Sequence, residues 1–349
     1  MNISALINEF VGANLEPRQQ EVIRGRYGLD GKEGLTLQAI GNRYGITRER
    51  VRQIETIALA NLREKFAREP QLKSFIQASG AHLKSLGGVA REDQFFGTLQ
   101  KLVNHRGGAD EFTQPVRFVL EFSGKVFNFR DNYSHDWHDY WYLTETDRKR
   151  AQEFVKKLGI NLNSKKEEVL AKKNFNDIFA NFVKSARLTE SVARNYLTIS
   201  KKFTLSPFGE FGLATWSEIN PRTARDWAYA ILKKENKPLH FSKISEIIRQ
   251  HRKDKRTNLQ TIHNELIKDD RFVLVGRGLY GLGEFGLIPG TAREIIAFIL
   301  KKHGPLRTSD VINEVKEQRV LKEATILINL QNRKNFRCLP DGRWCPREA

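Results

Sequence analysis

Cysteine is nearly absent from the 349 residues: Cys338 and Cys345 are too few for a disulfide framework or a full zinc site. They flank LPDGRW, where an Asp341-Gly342 turn would set them directly across a hairpin; reduced packing residues are expected, with a redox pair as the alternative. Long apolar runs are missing too. None approaches the roughly 18 residues of a membrane span, and MNISALINEF has neither a basic leader nor a cleavage site, so a soluble cytoplasmic chain is expected. No P-loop, Gly-rich dinucleotide turn or nucleophile elbow occurs, and the expectation is a non-enzyme without cofactor or metal. Acidic residues are the last shortage: 41 Asp and Glu face 59 Lys and Arg, giving a formal charge of +18. A chain this basic is drawn to polyanions, nucleic acid first.

At this length the chain suits several small domains. Residues 1–68 read as all helix, with Pro17 at a helix start, Thr36 and Thr47 as caps, and Gly45 between two helices, the outline of a helix-turn-helix. Further on, TARDWAYAILKKENKPL (223–239) lines up with TAREIIAFILKKHGPL (291–306), a repeat of whole small domains. Each copy predicts helix, strand, helix, helix and a two-stranded hairpin, the winged-helix order. Fainter versions are expected at 144–213 and 71–143. The fold class is therefore mainly α, with domains at 1–68, 71–143, 144–213, 214–287 and 288–349. The Lys and Arg excess lies mostly after residue 143, while 71–143 is balanced and suits a spacer or protein-contact module.

The stretch TRERVRQIE (47–55) begins the second helix of the bihelical unit. Val51, Ile54, Ala58 and Leu62 form its buried stripe at spacings of three and four, leaving Arg48, Glu49, Arg52 and Gln53 outside. These side chains suit base edges in a major groove: Arg to guanine, Gln to adenine, Glu to the cytosine amino group. Arg43, Thr47 and Arg50 are placed to hold phosphates. The surrounding LEPRQQEVIRGRYGLDGKEGLTLQAIGNRYGITRERVRQIETIALANLREKF (15–66) resembles region 4 of the primary-type bacterial sigma-70 family. The resemblance implies −35 element reading by Arg48, Glu49, Arg52 and Gln53, and docking on the β flap of RNA polymerase. The family's −10-reading domain is not found beside it, so promoter melting is not expected.

Residues 221–283, with Trp227, KPL and GRGLYGL, are similar to the HARE winged-helix family, which implies DNA or polymerase association. Here Lys253, Lys255 and Arg256 are candidate phosphate contacts, Arg277 a wing contact, and Asn258, Gln260 and His263 candidate recognition-helix contacts; Trp227, Phe272 and Tyr280 are expected in the core. NYSHDWHDYWY (132–142) carries two His and two Asp, but on a strand His135 and His138 would face opposite ways, so an aromatic hairpin with a polar rim is favoured over a metal site. Together these features predict a sequence-specific binder of double-stranded DNA in bacterial-type transcription, nucleoid-associated, with RNA polymerase as partner. The alternatives are a polymerase accessory factor docking on the β flap, a recognition component of a restriction or defence system, and, last, a metal-dependent hydrolase. The sequence leaves the oligomeric state open.

Overall fold

The computed structural model describes residues 3–66, 68–105, 109–131, 133–172, 174–252 and 258–347. The chain is mainly helical with small antiparallel sheets, and it divides into two compact units, residues 1–203 and 204–349.

Four helices open the first unit: α1 (Ile3–Asn14), α2 (Pro17–Tyr27), α3 (Leu37–Tyr44) and α4 (Arg48–Phe66). Pro17, whose fixed φ suits the first turn and whose missing N–H leaves no orphan donor there, starts α2. Thr36 caps α3 by accepting from the Ala39 N–H, and Thr47 caps α4 by accepting from the Arg50 N–H, each at 3.1 Å.

Next come α5 (Pro70–Ser85), β1 (Val89–Arg91), α6 (Glu92–Leu102), α7 (Ala109–Ser123), β2 (Phe127–Phe129) and β3 (Tyr140–Tyr142), with β3 between β1 and β2. The order is helix, strand, helix, helix, strand, strand. Its third helix, the one a winged helix commonly offers to DNA, is turned inward. Phe112, Val116, Phe118, Val119 and Leu120 of α7 are buried in a core shared with Ile3, Ile7 and Phe10 of α1 and Ala58 and Leu62 of α4. The Phe118 ring lies 4.8 Å from Tyr27, and Phe122 lies 5.1 Å from Phe66. Residues 3–66 are therefore one packed body with 70–143. The Glu92 carboxylate ties this region together, accepting from Arg117 Nη2 at 2.5 Å and from Asn128 Nδ2 and Trp141 Nε1 at 3.1 Å.

The unit continues with α8 (Glu145–Ser164), α9 (Lys166–Lys172), α10 (Phe175–Ser185) and α11 (Glu190–Thr198). Asn195 Nδ2 donates to the carbonyls of Leu86 and Val89 at 2.9 and 2.7 Å, and the Tyr196 hydroxyl donates to that of Gly87 at 2.8 Å, so α11 is pinned to the turn before β1. At the boundary of the units, β4 (Phe203–Leu205) pairs with β5 (Phe211–Leu213). Residues 144–213 thus end on a hairpin, but among the described residues no strand lies between α8 and α11.

The second unit holds both copies of the repeat. The first is α12 (Ala224–Glu235), β6 (Leu239–His240), α13 (Phe241–His251), α14 (Leu259–Lys268), β7 (Phe272–Gly276) and β8 (Leu279–Leu282). The other is α15 (Ala292–His303), β9 (Leu306–Arg307), α16 (Thr308–Gln318), α17 (Glu323–Leu330), β10 (Phe336–Cys338) and β11 (Arg343–Pro346). In both, the last strand is central, in the orders β6-β8-β7 and β9-β11-β10. The repeated Thr-Ala-Arg-acid start is a capping box in each copy, Thr223 with Asp226 and Thr291 with Glu294.

The copies touch where the Val320 N–H donates to the Val275 carbonyl at 2.8 Å. Within the second copy, the buried Arg319 holds the lead-in to α15, donating through Nη2 to the carbonyls of Ile288 and Gly290 at 2.8 and 2.9 Å. The two cysteines are not directly opposed, contrary to expectation: Cys338 is the partner of Trp344, and Cys345 that of Arg337. Leu339 and Arg343 close a three-residue loop in which Gly342 takes φ 81°. That loop shifts the register by one residue, so the thiols face opposite sides of the sheet and both are free.

Candidate nucleic-acid interface

The turn between α3 and α4 needs two glycines. Gly45 ends α3 at φ 66°, and a Cβ on Gly41 would lie 2.6 Å from the Ile46 carbonyl oxygen. With that close approach allowed, Val22, Ile40 and Val51 form a small buried core, against which Ile54 packs half-buried. Val51, Ala58 and Leu62 are buried as the stripe predicts.

Arg48, Glu49, Arg52 and Gln53 all lie exposed on the first two turns of α4, beside the exposed Arg43, Thr47 and Arg50. Arg52 is held in place by Glu49: Nε donates to Oε2 at 2.9 Å and Nη2 to Oε1 at 2.7 Å. The Arg52 guanidinium holds the Glu49 carboxyl below the usual carboxylate range. Arg50 Nη1 donates to Gln53 Oε1 at 3.2 Å. The face thus presents two prearranged pairs of opposite hydrogen-bonding character. Thr47 serves as the α4 cap, so a phosphate contact there would share an oxygen already in use.

Sequence reasoning missed Arg18. From the first turn of α2 it stacks on Tyr44 at 4.1 Å and donates to the Tyr44 carbonyl at 3.4 Å, while Arg43 lies over the same ring at 5.6 Å. This extends the cationic edge of the surface from α3 to α2. The contact crosses 26 residues, and the local pattern around Arg18 carries no sign of it.

In the first repeat copy, Lys253, Lys255 and Arg256 lie outside the described residues. Asn258 caps α14, its Oδ1 accepting from the Gln260 N–H at 3.0 Å. Gln260 is exposed and donates to Asn264 at 3.2 Å. His263 is half-buried between Phe241 and Tyr280, with ring centroids at 4.7 and 5.9 Å. Arg277 is exposed at the tip between β7 and β8. Trp227, Phe272 and Tyr280 are core residues.

The His/Asp-rich stretch is a capped loop rather than a strand until Tyr140. Asp131 accepts from the N–H groups of Tyr133, Ser134 and Trp137 and from the Ser134 hydroxyl. Desolvation opposes its ionisation, but these hydrogen bonds prevail and hold the carboxyl far below its ordinary range. Asp136 pairs with Lys202 at 2.7 Å. Among the described residues no three His, Cys, Asp or Glu side chains gather as metal ligands, and no helix is long and apolar enough to cross a membrane.

Comparison with known proteins finds a family match for each of two segments. Residues 13–64 match the Sigma-70, region 4 family, and residues 222–285 match the HARE-HTH family, a helix-turn-helix domain named in part for ASXL and restriction endonucleases. The RNA polymerase sigma factor SigA of Listeria monocytogenes is 46% identical over 63 residues, 18% of this chain and 17% of that protein. The sigma factor SigA1 of Synechococcus elongatus is 46% identical over 69 residues, 20% of this chain and 17% of that one. For SigA of Microcystis aeruginosa the identity is 48% over 63 residues, 18% of this chain and 15% of that protein. The chain spans about a sixth of the length of these relatives. It carries, in one polypeptide, a sigma-70 region 4 helix-turn-helix segment and a HARE-type winged-helix segment.

Proposed function

We propose that this protein binds double-stranded DNA in bacterial-type transcription and reads a short −35-like element with Arg48, Glu49, Arg52 and Gln53. The observation that carries the reading is the exposure of these four side chains on the first turns of α4, beside Arg18, Arg43 and Arg50, while the opposite, apolar sides of α1 and α4 are covered by α7. The basic repeat copies add phosphate contacts that do not depend on sequence, Arg277 among them. Tethering such modules raises their effective concentration, so modest single affinities combine into tight binding.

RNA polymerase is the proposed protein partner, from the likeness of residues 13–64 to its sigma factors. The apolar underside of α1 and α4 is occupied by α7, so the surface this segment offers a ligand is the exposed cationic face of α4. Selection of bound duplexes from a random library, followed by Arg52→Ala, tests the reading. Wild type should recover one short motif. Arg52→Ala should bind it about 5- to 150-fold more weakly and lose preference at one base pair. A variant that keeps full preference would refute the major-groove assignment, and co-purification with polymerase in the absence of DNA would support the accessory role instead.

A further inference from the structure

In the second repeat copy the helix where a winged helix commonly meets DNA, α17, carries no Lys or Arg. On α17, Glu323, Ala324, Thr325 and Ile328 are exposed, and Lys316 is engaged by Glu323. Cationic side chains of this copy stand on the sheet instead. Arg307 on β9 is directly opposite Arg343 on β11, and Arg337 on β10 is directly opposite Cys345, two residues beyond Arg343. Residues opposite one another, or two apart, share a sheet face. The three arginines therefore project from one face, and all three are exposed. Phe336, Trp344 and Leu306 take the other face, toward the core, where Trp344 Nε1 donates to Thr308 Oγ1 at 3.0 Å.

We propose that this arginine-bearing face of the β9–β11–β10 sheet is a second phosphate-binding surface, which holds the backbone of duplex DNA. The inference rests on the DNA-binding reading above. Three strands at their usual spacing set the arginines across about 10 Å, and guanidinium groups suit two-point contact with phosphate oxygens. Arg333, Lys334 and Arg347 extend the patch at one end, where Arg347 Nη1 donates to the Arg333 carbonyl at 2.8 Å. Asp341 is the one acid between residues 331 and 347; it pairs with Arg343. Arg337 lies across the buried Cys345, with Nε 3.1 Å from Sγ. Among the described residues Arg307 has no ion-pair partner, and like charges directly opposite on a sheet are unfavourable. Asp341 offsets the charge of Arg343 alone, which leaves the Arg307 charge uncompensated among the described residues. At the matching register of the first copy stand His240 and Leu279, so the arginines belong to this copy and not to the shared fold.

The test is the salt dependence of binding by the full chain to random-sequence duplex DNA, read by fluorescence anisotropy. Replacing Arg307, Arg337 and Arg343 together by Gln should flatten the slope of log K against log salt by about 2 to 3, roughly 0.9 per lost phosphate contact, and equally on every duplex. If that variant folds poorly, Arg307→Gln alone should lower the slope by about 0.9, and Arg307→Lys should restore most of it. An unchanged slope in a folded variant would overturn the proposal, as would a loss confined to duplex RNA. A wild type that binds random duplexes and loses slope in the variant, but shows no sequence preference, would keep this surface and refute the −35-like reading. A wild type that binds no duplex would refute both.

Discussion

Replacing Phe118 by Ala tests whether helices α1–α4 and helices α5–α7 form one body. Phe118 is 3% exposed, with its ring 4.8 Å from Tyr27 on α2 and 5.4 Å from Phe122 on α7. A buried Phe→Ala change costs about 3 to 5 kcal/mol in lost transfer energy and cavity formation, and the two ring contacts place this site at the upper part of that range. In a unit of this size each kcal/mol lowers the melting temperature by about 2 to 4 °C, so a drop of roughly 8 to 20 °C is expected. Hydrogen exchange by mass spectrometry then gives the decisive observation. Amides of α1, α2 and α4 should lose protection together with those of α5, α6 and α7, because all draw on one core. Loss confined to α5–α7, with α1, α2 and α4 as protected as in wild type, would refute the shared body.

Three further outcomes follow from particular contacts. Thr47→Ala should lower stability by about 0.5 to 2 kcal/mol through the lost cap, whereas Thr47→Asp should keep the cap and its stability yet weaken DNA binding by charge repulsion; thermal melts and anisotropy separate the two. Arg319→Met should cost about 1 to 3 kcal/mol, since the carbonyls of Ile288 and Gly290 lose their buried donor, and should raise hydrogen exchange around residues 288–291. Burial pushes the His82 imidazole below its usual range, and burial, helped by Arg91 and Lys201, does the same for His138. The unfolded chain therefore takes up protons first as pH falls below about 6.5, and the first unit should lose stability from there down to the folded values. Denaturant midpoints between pH 7.5 and 5 should show this slope, and His82→Phe with His138→Asn should flatten it.

What the sequence disclosed depended on how local the signal was. The α3–α4 pair was legible because caps, turn glycine and apolar stripe all lie within thirty residues, and the repeat was legible because Thr-Ala-Arg-acid starts the same capping box twice. The inward turn of α7 was not read. Its signal was present in the apolar residues on more than one side of the helix, Phe112, Val116 and Val119 as well as Phe118 and Phe122, the mark of a helix covered on two sides. The cysteine register was missed by a single residue, because Asp341-Gly342 fits a two-residue turn as readily as the three-residue loop that forms. The arginine face of the last sheet was hidden for a related reason. Arg307 lies thirty-six residues before Arg343, and only the pairing register brings them onto one face.

The burial of α7 against α1, α2 and α4 also sets an order of events during synthesis. The helices carrying Phe10, Tyr27 and Leu62 leave the ribosome well before Phe118, and at 5 to 20 residues per second they wait roughly 3 to 12 seconds for the helix that covers them. Until then their apolar underside is open, and the nascent chain at this stage is most exposed to chaperone capture or to pairing with another copy.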